Sequence, residues 1–151
     1  MADIHVSLER QQAAYHFKAT NDLGHSIDID DATAYESGNG NGVGPMQLLI
    51  MAIGGCSAVD IVSILEKSRQ EIESFTMDVV GHKPDGQSPS LYDTIHVTYR
   101  LTGKVDADKT RRAINLSLGK YCSVSKTLEA TAKISYDFSV NGDDFTGDPL
   151  S

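Results

Sequence analysis

Two cysteines, Cys56 and Cys122, are the residues best equipped for covalent chemistry in this sequence. A thiolate is both a nucleophile and a reductant, and its reactivity follows its pKa and its access to solvent. The 66 positions between them exclude a Cys-x-x-Cys redox pair, and two thiols are too few for a zinc site built of cysteine alone. Cys56 directly follows Gly54-Gly55, where missing side chains open a channel to the sulfur. Cys122 precedes a short helix expected from Ser123, where amide donors and the helix dipole lower a thiol pKa below its free value of about 8.5. The alternative reading of both is as small buried hydrophobes, which free cysteine often is.

Other polar groups give weaker signals. The five histidines are His5 and His16 in alternating segments, His25 after Gly24, and His82 and His96 in or beside later strands. Their spacing supports neither a metal site nor a Cys–His dyad. Asp60 lies one turn beyond Cys56 on the same helix face. An ionised carboxylate near a sulfur disfavours the thiolate unless a cation neutralises it, and an arginine across a subunit interface is the other partner open to it. Gly38 to Gly44 carries four glycines in seven residues. It lacks the Gly-Lys-Ser/Thr ending of a phosphate cradle and reads as a mobile connection.

The elements that must position the thiols follow from periodicity. Ile4–Leu8, Tyr15–Phe17 and Ser26–Asp30 alternate as strands. Pro45 opens a helix running to about Arg69, apolar almost all round for its first four turns. Such a helix must be covered on every side, and one small domain covers it poorly, which points to a partner subunit. Gly54-Gly55 costs roughly 1 kcal/mol per glycine within it, an expense most simply offset by close approach of another backbone. Strands follow at Phe75–Val80 and Thr94–Leu101, then helices over Asp106–Tyr121 and from Ser123, then a strand at Ile134–Val140. The tail from Asn141 reads as turn-rich and frayed. The order βββ-α-ββ-αα-β is an α+β pattern, not a doubly wound sheet.

Composition narrows the classes. A length of 151 residues with 40% hydrophobic and 23% charged content predicts one globular domain over 1–151. Thirteen Lys+Arg against 21 Asp+Glu leave a net charge of −8, which argues against nucleic-acid and anionic-membrane partners. The apolar run from Leu48 to Val59 is too short for a bilayer span and reads as a buried helix. The amino-terminal MADIHVSLER has no apolar signal region, so the expected compartment is the cytoplasm, where two thiols are more often reactive than bridged.

The segments Gly44-Pro45-Met46-Gln47-Leu48-Leu49, Gly54-Gly55-Cys56-Ser57-Ala58-Val59-Asp60 and Tyr121-Cys122-Ser123-Val124 resemble the OsmC/Ohr family of osmotically inducible and organic hydroperoxide resistance proteins, in particular its YhfA-like branch. The resemblance implies the OsmC-like fold, an intertwined homodimer with a long central helix from each subunit, and thiol-dependent reduction of organic hydroperoxides without metal or organic cofactor. By that likeness Cys56 matches the peroxide-attacking cysteine and Cys122 the resolving one. An external dithiol, a lipoyl group in the Ohr proteins, then reduces the bridge. Ohr-type members add an arginine from the first strands and a glutamate on the first turn of the long helix. Arg10 is the arginine available here, while the glutamate position holds Met46. Met46, Leu49 and Ile50 are the expected apolar wall of the substrate pocket. The missing acid and the presence of Asp60 keep open a second reading, a redox-sensing or small-ligand-binding member with little turnover.

Overall fold

The computed structural model describes residues 2–12 and 14–150. The chain falls into two compact units, one ending at Leu49 and the other starting at Ile50. The first holds β1 (Val6–Arg10), β2 (Phe17–Asn21) and β3 (Ser26–Ile29), paired antiparallel in that order. After β3, the Asp30 carboxylate is buried. It accepts from the amide of Asp31 at 2.8 Å and from the amide and side chain of Asn41 at 3.0 and 3.1 Å. The glycine segment is therefore docked, not a mobile connection. A buried carboxylate requires donors, and Asn41 supplies two of them. At Gly42 a Cβ would overlap the Asp28 carbonyl, so only glycine lets the loop lie this close to β3.

Helix α1 (Pro45–Lys67) starts with proline at its first position. Gln47 accepts from the Gly44 amide at 2.8 Å, satisfying a donor the helix start would leave open. The helix stops two residues before the expected Arg69, which takes a left-handed conformation (φ 61°) while the Gln70 amide reaches back to the Leu65 carbonyl.

The second unit contains a four-stranded sheet in the order β4 (Glu71–His82), β5 (Thr94–Lys104), β6 (Lys133–Val140), β7 (Asp143–Thr146). β4 and β5 pair antiparallel and β5 and β6 parallel. A parallel pair cannot be joined by a tight turn. The crossover consists of α2 (Ala107–Leu116), a π-helical turn (Ser117–Tyr121) and α3 (Ser123–Leu128). Alternation puts Ile95, Val97, Tyr99 and Leu101 of β5 and Ile134, Tyr136, Phe138 and Val140 of β6 on one buried face. Ile53, Ser57, Ile61 and Leu65 of α1 and Ala113 and Ile114 of α2 are buried with them. By length and apolarity α1 could span a bilayer, but this buried stripe marks it as the core helix of a soluble fold.

Two expectations need correction. The tail is not frayed: Asn141-Gly142, both with positive φ, form a two-residue turn that folds β7 back onto β6. Arg111 and Asn115 then hold Asp148 at 3.0 and 2.8 Å. This chain covers α1 only in part, as expected of one small domain, since Met51 and Val59 are 50% and 70% exposed. The glycine pair is split in role. At Gly54 a Cβ would press on Val79 and Met77 at 3.3 and 3.4 Å, so β4 side chains approach here and not another backbone, while Gly55 borders open space.

Candidate functional site

Cys56 lies in the middle of α1 and is half-buried, whereas Cys122 follows the π-helical turn and is fully buried; both are free thiols. The crossover brings them together. A wide π turn is uncommon and often marks a functional position. Here it closes with the Cys122 amide on the Ser117 carbonyl at 2.7 Å, which presents Ser117 and Cys122 to the same part of α1. Ser117 is buried, and its hydroxyl donates to an Asp60 carboxylate oxygen at 2.9 Å. The two sulfurs and a carboxylate oxygen of Asp60 all lie within 4.8 Å of one another.

Beneath this cluster the Tyr99 hydroxyl donates to Ser57 at 2.8 Å, and the Ser57 hydroxyl donates to the Gly54 carbonyl at 3.1 Å. Burial pushes the Tyr99 phenol well above its usual range, so it remains a neutral donor. This chain of donors fixes the turn of α1 that carries Gly54 to Ser57.

The Cys122 thiol is pushed up to about 11, opposite to the expectation from its place before α3. Burial dominates, and the neighbouring Cys56 adds to it. The Ser125 amide does donate to the Cys122 sulfur at 3.3 Å and pulls the other way, as does Val124. A short helix end does not outweigh loss of solvent around a buried thiol.

Asp60 was legible in the sequence as the residue four beyond Cys56. Ser117 was not, because no local pattern distinguishes it from other helical serines. Met46, Leu49 and Ile50 lie on α1, one to three turns before Cys56. Ile50 packs on β4 so closely that a Cβ at Gly81 would sit 2.5 Å from its Cδ1. A groove of about 880 Å³ opens elsewhere, against α3, β6 and the tail, with His96, Lys126, Tyr136 and Asp148 in its walls; it includes neither Cys56 nor Asp60. Arg10 belongs to the first unit, exposed at the end of β1, with its Nε donating to the Ala14 carbonyl at 3.1 Å.

The family model described as OsmC-like protein matches residues 38–137, more than half of the chain. The chain belongs to the OsmC-like family. Protein YhfA of Escherichia coli K12 is 37% identical over 97 residues, covering 64% of this chain and 72% of YhfA. The crystal structure of a hypothetical protein from Aquifex aeolicus superposes with a TM-score of 0.78 at 30% identity, over 93% of this chain and 99% of that one. A protein from Elizabethkingia anophelis, described as an organic hydroperoxide resistance protein, superposes with a TM-score of 0.69 at 12% identity, over 93% and 98% of the two chains. The α+β class and the OsmC-like fold expected from the sequence are those observed.

Proposed function

We propose that the protein is a thiol-dependent peroxidase for organic hydroperoxides, with Cys56 as nucleophile and Cys122 as resolving thiol. The observation that carries this reading is the meeting of the two sulfurs, 66 positions apart in sequence and within 4.8 Å in the fold. The Cys56 thiolate attacks the outer oxygen of the O–O bond, and one proton is taken up. The products are an alcohol and a Cys56 sulfenic acid. The Cys122 thiol condenses with that acid, releasing water and forming a disulfide, and an external dithiol of the lipoyl type returns both thiols. Half-exposed Cys56 is the sulfur a substrate can reach, and buried Cys122 stays protonated until the sulfenic acid forms beside it. In this proposal Arg10 supplies the cation that orients the peroxide, and Met46, Leu49 and Ile50 supply the apolar wall. Reduced cytoplasm is the compartment that suits such a cycle.

The same reading includes a homodimer. Met51, Gly55 and Val59 form one exposed α1 stripe at i, i+4 and i+8, and every residue of β1 is exposed. A second copy is the occupant that would bury them. The test of the chemistry is mass spectrometry after one equivalent of cumene hydroperoxide. The parent protein loses two hydrogens, Cys56→Ser consumes no peroxide, and Cys122→Ser gains one oxygen, with further oxygen added only when a second equivalent of peroxide is supplied. An unchanged mass with both thiols still titratable refutes the peroxidase.

Asp60, close to both sulfurs, favours the second reading, a redox sensor with little turnover. That reading predicts disulfide formation under peroxide with no sustained consumption when dithiol is supplied in excess.

A further inference from the structure

We propose that the reduced Cys56–Cys122 pair, together with Asp60, is a binding site for a thiophilic divalent cation of the Zn²⁺ class. The cation and a hydroperoxide then compete for the same two sulfurs. The metal site goes beyond the peroxidase reading and stands without it; the competition rests on that reading.

The donor set is two sulfurs and one carboxylate oxygen. Thiolate ligands select Zn²⁺ over Mg²⁺ or Ca²⁺, which prefer oxygen alone. A tetrahedral zinc with bonds of roughly 2.3 Å to sulfur and 2.0–2.2 Å to oxygen holds its ligand atoms roughly 3.5–3.8 Å apart. The three donors already lie within 4.8 Å of one another, about 1 Å more than a bound zinc requires. Ser117 adds a second feature of metal centres. Its buried hydroxyl holds one Asp60 oxygen at 2.9 Å, which fixes the carboxylate and leaves its other oxygen for the ion. Charge points the same way. Among the described residues from Ile50 onward, no Lys or Arg forms an ion pair with Asp60. A dication displaces the thiol protons on binding and offsets the negative charge that the two sulfurs and the carboxylate then carry. Cys56, the half-exposed member, gives a hydrated ion its way in. Three protein ligands leave the fourth position to water, the arrangement of an exchangeable site, not a closed structural one.

Peroxide and cation exclude each other by electron count. One hydroperoxide, two thiolates and two protons give one disulfide, one alcohol and one water. The disulfide retains no thiolate for the metal, so oxidation leaves Asp60 alone and the ion departs.

The test is a titration of the reduced, metal-stripped full chain with Co²⁺ under anaerobic conditions, followed by displacement with Zn²⁺. One equivalent per chain is expected to give a thiolate-to-cobalt charge-transfer band and the visible bands of tetrahedral cobalt, both removed by Zn²⁺. Cys56→Ser and Cys122→Ser, checked for folding by circular dichroism, lose the charge-transfer intensity in part or whole. Asp60→Asn, which leaves both sulfurs, binds at least tenfold more weakly. An octahedral spectrum without charge transfer, an affinity unchanged in Asp60→Asn, or binding only at millimolar Zn²⁺ overturns the site. In parallel, one equivalent of Zn²⁺ is expected to slow a single turnover of cumene hydroperoxide at least tenfold. Equal rates with and without Zn²⁺ overturn the competition. A metal-free protein that consumes no peroxide while still binding cobalt refutes the peroxidase and leaves the metal site standing.

Discussion

Replacing Ser117 with alanine removes the one hydroxyl that bridges the crossover to the acid beside the sulfurs. The hydroxyl is buried and sits 2.9 Å from Asp60. A hydrogen bond to a charged acceptor contributes about 1.5–3 kcal/mol, and removal of the donor leaves the acceptor short of a partner. Asp60 is only half-buried, so water recovers part of the loss and the lower half of that range applies, about 1.5–2 kcal/mol. At about 2–4 °C per kcal/mol for a domain of this size, the melting temperature falls by about 3–8 °C. The oxygen removed is too small to leave a cavity that adds to this figure. Urea unfolding under reducing conditions measures the change, at one fixed protein concentration because self-association would shift the midpoint. Ser117→Ala, Asp60→Ala and the double variant complete a cycle that isolates the pair. The coupling is expected to exceed about 0.5 kcal/mol, the limit within which independent sites are additive. Additive variants, or a Ser117→Ala protein as stable as the parent, refute the claim that this bridge ties the π turn to α1.

Two further outcomes are expected. In Cys56→Ser labelled with ¹³C at the cysteine Cβ, the NMR shift of that carbon reports Cys122 alone. Its midpoint should lie below the value of about 11 that it has beside Cys56, because one upward influence is gone, yet above the free value of about 8.5 because burial remains. The folded-state pKa is raised, so this group's contribution to stability is complete below the unfolded pKa and is lost as pH climbs from about 8.5 towards 11. A midpoint at or below the free value refutes the dominance of burial. Gly55→Ala tests the covering of α1 by a second copy. Within one chain a Cβ there meets nothing within 4 Å, and alanine alone would add about 0.8–1 kcal/mol of helix stability. Weaker self-association in sedimentation is expected; a variant dimerising as strongly as the parent, or more so, overturns the covering.

The helices and strands were legible where a single periodicity runs through them. β5 and β6 alternate without a break, α1 announces itself with Pro45, and Cys122 sits one residue before a helix as expected. β7 was missed because the tail from Asn141 was read as turn-rich and frayed, although Asn141-Gly142 is a strong hairpin signal. Its pairing with β6 and the grip of Arg111 on Asp148 are tertiary gains that composition does not display. The glycine segment was misjudged for a similar reason. Glycine content signals freedom in isolation, but buried Asp30 uses that freedom to draw the loop around itself.

Sequence by itself determined the candidate thiols, the family resemblance and the register of Cys56 with Asp60, since a helical spacing of four is a local property. Tertiary structure alone decided that Cys122 and Ser117 meet that helix face, because the parallel β5–β6 crossover carries them there. It also decided the sign of the Cys122 shift. A local rule weighs the amides at a helix start, but burial depends on how much of the remaining chain displaces water from the sulfur, and that is known only once the chain has folded.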